Sequence, residues 1–111
     1  MKFHTDMEEI PNLMPDLAIS VYRIVQEALA NAIKYSMATD IYISVKTIDN
    51  CLEIGIRDNG KGLIDENVLK LPTFGITGMQ ARAEAWGGKF ELIGNLGKGT
   101  EIRAIIPLPI I

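Results

Sequence analysis

An alternating apolar run that ends in an acid and glycines constrains this chain most. Residues 51–57 alternate apolar and polar side chains, as a strand with one buried face does, and Asp58-Asn59-Gly60-Lys61-Gly62 follows at once. A strand that delivers a carboxylate to its end and then passes into glycine can form a pocket wall with a fixed hydrogen-bond acceptor. Asp, Asn and Gly are also the commonest turn residues, so the stretch taken alone is more typical of a loop or hairpin turn.

Length and composition predict one globular domain and exclude several functions. The chain has 111 residues, of which 48% are hydrophobic and 23% charged. This length and this hydrophobic content are enough to bury a core. A net charge of −3, with no dense Lys/Arg cluster, argues against a nucleic-acid partner. Cys51 is the only cysteine, which excludes an intrachain disulfide and argues against a cysteine-based zinc site. No apolar run reaches the length of a membrane span and no signal peptide is recognisable, so we expect a soluble cytoplasmic domain without membrane contact, which can belong to a larger protein.

The first strong element is a helix from residue 16 or 17 to about residue 36. Asp16 follows Pro15 and can cap its N-terminus. Apolar side chains at three- and four-residue spacing give it one apolar face, formed by Leu17, Val21, Ile24, Ala28, Ala32 and Tyr35.

Glu27, Asn31 and Lys34 follow one line along the edge of that face. Their spacing of four and then three residues places the side chains a turn apart. A solvated polar stripe explains Glu27 and Lys34, but it explains Asn31 badly because Asn is a poor residue inside a helix. A magnesium-bound triphosphate would use all three: the amide oxygen as a metal ligand, the ammonium on phosphate and the acid orienting water or metal. Spacing alone leaves both readings open.

Alternation elsewhere predicts further strands. Residues 40–46 and 51–57 form a hairpin around Asp49-Asn50, and residues 1–9 alternate weakly enough for a short edge strand. Residues 89–93 and 100–106 are two more strands, which flank a turn at residues 94–99.

A long loop and a second helix lie between these strand pairs. Residues 59–74 form a loop long enough to be a lid, and a helix follows over about residues 79–86, stopped by Gly87-Gly88. Gly75 and Gly78 stand immediately ahead of that predicted helix, where backbone N–H groups can converge on a phosphate. A simple loop-to-helix turn explains them equally well. A P-loop at residues 94–100 is excluded, because Thr100 stands where that motif needs Lys.

Taken together, four stretches resemble the catalytic ATP-binding domain of sensor histidine kinases, in the superfamily that also holds gyrase, Hsp90 and MutL. Residues 22–35, with Gln26-Glu27-Ala28-Leu29 and Asn31, resemble the N box. Residues 58–62 resemble the first glycine box, and residues 74–79, continuing to Gly87-Gly88, the second. Gly97-Lys98-Gly99-Thr100 resembles the last. The residues of these motifs are most similar to those of the subfamily paired with LuxR/NarL-type response regulators.

The resemblance implies an α/β two-layer sandwich, in which a Bergerat-type mixed β-sheet carries helices on one face and a mobile ATP lid. It implies ATP and Mg²⁺ as ligands, with Asp58 accepting a hydrogen bond from the adenine amino group. It further implies that Asn31 ligates Mg²⁺ beside Glu27 and that Lys34 reaches the phosphates. The remaining implied nucleotide contacts are Tyr35, Gly60, Gly62, Gly75, Gly78, Met79 and Thr100.

The resemblance also implies partners. In this family the phosphoryl acceptor is a histidine on a separate helical dimerisation domain, and a LuxR/NarL-type response regulator lies downstream. His4 matches no position of these motifs, so we expect a catalytic domain that cannot complete phosphorelay alone. A serine kinase of the anti-sigma-factor kind on the same fold, and a nucleotide-sensing module without turnover, are the alternatives.

Overall fold

The computed structural model describes residues 1–8, 12–35, 37–60, 75–95 and 99–108. These residues form five strands and two helices. In chain order they are β1 (Lys2–Met7), α1 (Pro15–Tyr35), β2 (Asp40–Ile48), β3 (Cys51–Asp58), α2 (Ile76–Ala85), β4 (Lys89–Asn95) and β5 (Gly99–Pro107).

The strands form one mixed sheet in the order β1-β2-β3-β5-β4. β1 runs parallel to β2, and every other neighbouring pair is antiparallel. The predicted hairpin is confirmed: Ile48 pairs with Cys51, and Asp49 and Asn50 have φ values of 49° and 62°. Two consecutive left-handed residues are typical of the turn that matches the twist of a two-residue hairpin.

The helices cover one face of the sheet and form a single core with it. The buried face of α1 matches the predicted stripe in Leu17, Ile24, Ala28 and Ala32. Alternate residues of the central strands meet it, among them Leu52, Ile54 and Ile56 of β3 and Ile102, Ala104 and Ile106 of β5. Ile76, Met79 and Ala83 of α2 complete the core. The predicted two-layer α/β fold with helices on one face is therefore confirmed.

The helix starts differ from the predicted ones. The carbonyl of Met14 accepts the N–H of Ala18 at 2.9 Å, so α1 begins at Pro15 and Asp16 lies inside the first turn. The prediction that Asp16 caps this helix is wrong, because proline is well suited to the first helical position and moves the cap to Met14. Asp16 still carries a favourable negative charge near the positive end of the helix dipole.

α2 begins three residues before the predicted start, and it ends as predicted. The carbonyl of Gly75 accepts the N–H of Met79 at 3.0 Å, which closes the first turn. At the other end, Gly87 donates to the carbonyl of Glu84 and Gly88 to that of Ala83, both at 2.9 Å. Gly87 has a φ of 76°, so the pair forms the left-handed helix stop expected of Gly87-Gly88.

Candidate functional site

Asp58 lies on the helix-facing side of the sheet because of its phase in β3. Leu52, Ile54 and Ile56 are buried on that side, and Asp58 follows in the same alternation with only 5% of its surface exposed. Among the residues that the structure describes, it is the one buried charged side chain. A carboxylate costs free energy at the end of a buried apolar row unless hydrogen bonds compensate it. Asp58 is therefore the first candidate for function.

Backbone hydrogen bonds meet part of that cost. The Oδ1 atom of Asp58 accepts the N–H of Gly60 at 2.8 Å, and the backbone of Thr100 also hydrogen-bonds the carboxyl. Burial raises the pKa of Asp58 above the usual aspartate value, and the two hydrogen bonds oppose that rise. Asp58, Gly60 and Thr100, all implied by the resemblance, thus meet at one place. A carboxylate has about four acceptor positions, so some stay available to a ligand.

Asn59 and Gly99 fix the backbone around this carboxyl, and neither is among the expected contacts. The Oδ1 atom of Asn59 accepts the N–H groups of Thr39 at 3.0 Å and Asp40 at 2.9 Å. Gly99 has a φ of 107°, and a Cβ there would collide with the backbone carbonyl of Asp58. The two glycine-box motifs contain these residues, but a motif does not reveal contacts across the fold.

Glu27, Asn31 and Lys34 lie along one side of α1, as their spacing predicts. Glu27 and Asn31 are half-buried and Lys34 is exposed. The Glu27 side chain packs against Gly75: an ideal Cβ on Gly75 would lie 2.6 Å from Cδ and 2.7 Å from Cγ of Glu27. Gly75 also has a φ of 64°, in the left-handed region that favours glycine. Two separate constraints therefore require glycine at the start of α2.

A cleft of about 230 Å³ lies between α1 and the first turns of α2. Its lining includes four residues expected at the site, Glu27, Gly75, Gly78 and Met79. Arg23, Gln26 and Arg82 complete the lining, and no motif assigned them a role. Asn31, Lys34, Asp58 and Thr100 do not line this cleft.

The N-terminus of α2 differs from the expectation at Gly78. Gly78 lies inside the first turn and not ahead of the helix, because the helix already begins at Ile76. Its N–H is still among those for which a helix offers no acceptor, and such groups favour an anion. Met79 donates its N–H to Gly75 and is 1% exposed. Met79 can therefore form a wall of the cleft, but its N–H is already used.

Asp58 and the last turns of α1 lie at the same end of the domain. β2 begins at Asp40, shortly after α1 ends at Tyr35, and Ile41 pairs with Asp58 across the hairpin. Asn31 and Lys34 belong to the C-terminal part of α1, so their amide and ammonium groups are at this end as well. Gly62 and residues 61–74 of the expected lid lie outside the described residues, as do Gly97, Lys98 and the side chain of Tyr35.

The site does not resemble a metal centre built from protein ligands alone. Over the described ranges, no group of three or more His, Cys, Asp or Glu side chains could hold a metal ion. Asn31 and Glu27 offer oxygen atoms, which suit Mg²⁺ when nucleotide phosphates supply further ligands.

The described helices include none that is long and apolar enough to cross a membrane.

Comparison with known proteins gives the same family as the motifs. Residues 16–110 match the family model described as histidine kinase-, DNA gyrase B- and HSP90-like ATPase. A similar curated protein is the signal transduction histidine-protein kinase/phosphatase DegS of Bacillus subtilis, with 32% identity over 90% of this chain and 26% of DegS. The sensor histidine kinase LiaS of the same organism is 36% identical over 79% of this chain and 24% of LiaS. The chain thus spans about a quarter of the length of these relatives.

Solved structures give the same fold. The histidine kinase domain of the blue-light activated histidine kinase of Erythrobacter litoralis superposes with a TM-score of 0.81 at 17% identity, over 96% of this chain and 51% of that chain. At such identity the likeness concerns the fold alone. The recognition made from four motifs is confirmed by the family match: this chain belongs to the family of histidine kinase-, DNA gyrase B- and HSP90-like ATPases.

Proposed function

We propose that this chain is the ATP-binding catalytic domain of a sensor histidine kinase, which donates the γ-phosphoryl group of ATP to a histidine on a separate dimerisation domain. The buried carboxyl of Asp58 is the observation that carries the proposal. It lies at the end of β3 beside Gly60 and Thr100. Its burial costs free energy, and recognition of a ligand is a functional reason for that cost. The family match and the histidine kinase relatives support the same conclusion.

Asp58 selects adenine in this proposal. Its ionised carboxyl accepts a hydrogen bond from the exocyclic amino group of adenine, whereas guanine would present a carbonyl oxygen to the same acceptor. A buried site that is built to pair one polar group rejects a ligand lacking that group strongly, because the partner is left unpaired. Backbone hydrogen bonds from Gly60 and Thr100 hold the carboxyl in place.

The polar side of α1 and the start of α2 bind the triphosphate. Mg²⁺ supplies charge neutralisation on the phosphate oxygens, with Asn31 and Glu27 as its protein ligands. Lys34 lies one turn beyond Asn31 and binds phosphate as a point charge. Gly75 and Gly78 bring the positive end of α2 to the same group of phosphates. Glu27 orients metal or water, and we assign it no proton transfer.

The partners follow from the proposed reaction. The acceptor is a helical dimerisation domain that carries a histidine, and a LuxR/NarL-type response regulator takes the phosphoryl group afterwards. Relatives named histidine kinases, about four times as long as this chain, support a multi-domain parent. Because ATP is the substrate, the domain works in the cytoplasm whether or not the parent protein is anchored in a membrane.

Phosphoryl transfer from labelled ATP tests the proposal. The chain is incubated with Mg²⁺, ATP labelled on the γ-phosphate, and a dimerisation domain that carries the acceptor histidine. We expect the dimerisation domain to become labelled, and we expect the label to be lost in acid and kept in alkali, because phosphohistidine is labile in acid and stable in alkali. Replacing the acceptor histidine by Gln should abolish the labelling. Acid-stable phosphoserine on a partner would support the serine kinase alternative, and ATP binding without transfer would support a sensing module.

A further inference from the structure

Two arginines line the cleft between α1 and α2, and the proposed function has so far given neither a role. Arg23 lies one turn before Glu27 on α1. Arg82 lies on the same face of α2 as Gly75 and Gly78, because the three recur at three- and four-residue spacing. The ion pairs found within the described ranges involve His4, Lys46 and Arg103. Both cleft guanidinium groups are thus free of an ion-pair partner there.

The geometry of Glu27 explains why Arg23 has no ion-pair partner among the residues that the structure describes. Glu27 and Arg23 are four residues apart on α1, the spacing at which opposite charges on a helix usually pair. Glu27 instead packs against Gly75, with its Cγ and Cδ atoms in the space that a Cβ on Gly75 would fill. The left-handed glycine at the start of α2 therefore accommodates Glu27 and leaves Arg23 available in the cleft.

The charges of the cleft favour an anionic ligand. Two guanidinium groups against one carboxylate leave a net positive charge, and the N-terminus of α2 adds a positive partial charge. Guanidinium groups match the oxygen atoms of a phosphoryl group through paired, charge-assisted hydrogen bonds. A cleft of about 230 Å³ has room for a phosphoryl group with its hydration.

We propose that Arg23 and Arg82 are further catalytic residues, which bind the γ-phosphoryl oxygens of ATP and stabilise their charge during transfer. This inference rests on the proposed function. In the transfer, the bond between the γ-phosphorus and the bridging oxygen breaks and its electron pair stays with ADP. A lone pair of an imidazole nitrogen on the acceptor histidine forms the new P–N bond, and the imidazole proton leaves to solvent. The arginines make no covalent bond and only balance charge on the three phosphoryl oxygens.

The affinities for ATP and ADP separate this role from a structural one. Arg23→Ala and Arg82→Ala are titrated calorimetrically with each nucleotide in the presence of Mg²⁺. Because ADP has no γ-phosphoryl group, we expect each variant to bind ATP about tenfold more weakly and ADP as the unchanged protein does. Arg103→Ala is the matched control, since Arg103 pairs with Glu101 on the sheet and lies outside the cleft. Circular dichroism verifies folding, which alanine at these helical positions should preserve.

Single-turnover transfer to the acceptor domain gives a second readout. We expect the transfer rate to fall by about a thousandfold in Arg82→Ala, the scale at which an arginine acts on a transferring phosphoryl group. Arg82→Lys should restore part of the rate, because it keeps the charge and loses the paired hydrogen bonds.

Three results would overturn the inference. Equal losses for ATP and ADP would mean that the arginines act on the fold or on another part of the nucleotide. Unchanged ATP affinity and transfer would remove any role in the reaction. A higher KM for the acceptor domain alone, with ATP affinity intact, would place the arginines in a protein–protein contact. Absence of ATP binding by the unchanged chain would instead refute the proposed function itself.

Discussion

Replacing Gly75 by Ala tests whether the start of α2 is shaped to hold Glu27. The residue has a φ of 64°, and an alanine in this region costs about 1–2 kcal/mol. Its Cβ would also lie 2.6 Å from Cδ and 2.7 Å from Cγ of Glu27, so the whole glutamate side chain must turn aside. Forcing a side chain off its rotamer costs about 0.5–1.5 kcal/mol, which brings the expected loss of unfolding free energy to about 1.5–3.5 kcal/mol.

Gly87→Ala provides the matched control for this substitution. Gly87 lies at the other end of α2 with a φ of 76°, and a Cβ there would meet nothing within 4 Å. It should lose about 1–2 kcal/mol of unfolding free energy from the left-handed backbone alone, which corresponds to a fall in Tm of roughly 4–16 °C. Replacing glycine by alanine also lowers the conformational entropy of the unfolded chain, which stabilises the fold. This contribution is the same for both variants and cancels in the comparison.

Thermal and urea denaturation measure the stabilities, and the single-turnover phosphoryl transfer assay measures function. We expect Gly75→Ala to be the less stable variant and the one with reduced transfer, because only it displaces Glu27. Gly87→Ala should transfer at the rate of the unchanged protein when assayed below its Tm. Equal stabilities for the two variants, or full transfer by Gly75→Ala, would refute the reasoning about Glu27.

Three further substitutions test separate parts of the site. Asp58→Asn should weaken ATP and ADP binding alike, and unchanged calorimetric affinities would count against adenine recognition. Because burial raises the pKa of Asp58, the ionised carboxyl costs stability at neutral pH and this cost is relieved as pH falls through the raised pKa. Asp58→Asn should therefore raise the free energy of unfolding at neutral pH, with a gain that shrinks in acid; a gain that stays constant with pH would contradict the titration argument. Asn31→Ala should remove the Mg²⁺ dependence of ATP binding, and a retained metal effect in the folded variant would refute its role as a ligand. A Cβ on Gly78 would meet nothing within 4 Å, so Gly78→Ala should stabilise the fold by about 0.5–1 kcal/mol. It should also weaken ATP binding, and unchanged ATP affinity would show that phosphate does not approach this residue closely.

Elements with a strong hydrophobic period were predictable from the sequence. The recurrence of apolar side chains at three- and four-residue spacing predicted α1, and the alternation on both sides of Asp49-Asn50 predicted the β2–β3 hairpin. Gly87-Gly88 marked the end of α2 because a left-handed stop requires glycine. In each case the signal is local, since it depends on residues adjacent in the sequence.

Helix starts were less predictable because they depend on small backbone differences. Proline lacks the N–H that the first turn leaves unsatisfied, so α1 begins at Pro15 although Asp16 is the better capping side chain. α2 includes Gly78 in its first turn despite the low helix propensity of glycine, because packing of Ile76 and Met79 in the core fixes the earlier start.

Contacts within the site could be predicted only in part. The motifs identify Asp58, Glu27 and Gly75 one by one, but the packing of Glu27 against Gly75 joins residues far apart in the sequence. The hydrogen bonds from Thr39 and Asp40 to Asn59 are of the same kind, and so is the presence of Arg82 in the cleft of Glu27. Such pairs depend on how α2 packs beside α1 and how β3 meets β2, which no local pattern specifies.

A structure of this chain with Mg²⁺ and a non-hydrolysable ATP analogue tests the central claim most directly. We expect the adenine amino group within hydrogen-bonding distance of the Asp58 carboxyl and the metal bound to the amide oxygen of Asn31. A nucleotide whose base lies away from Asp58, or a metal held without Asn31, would contradict the proposed site.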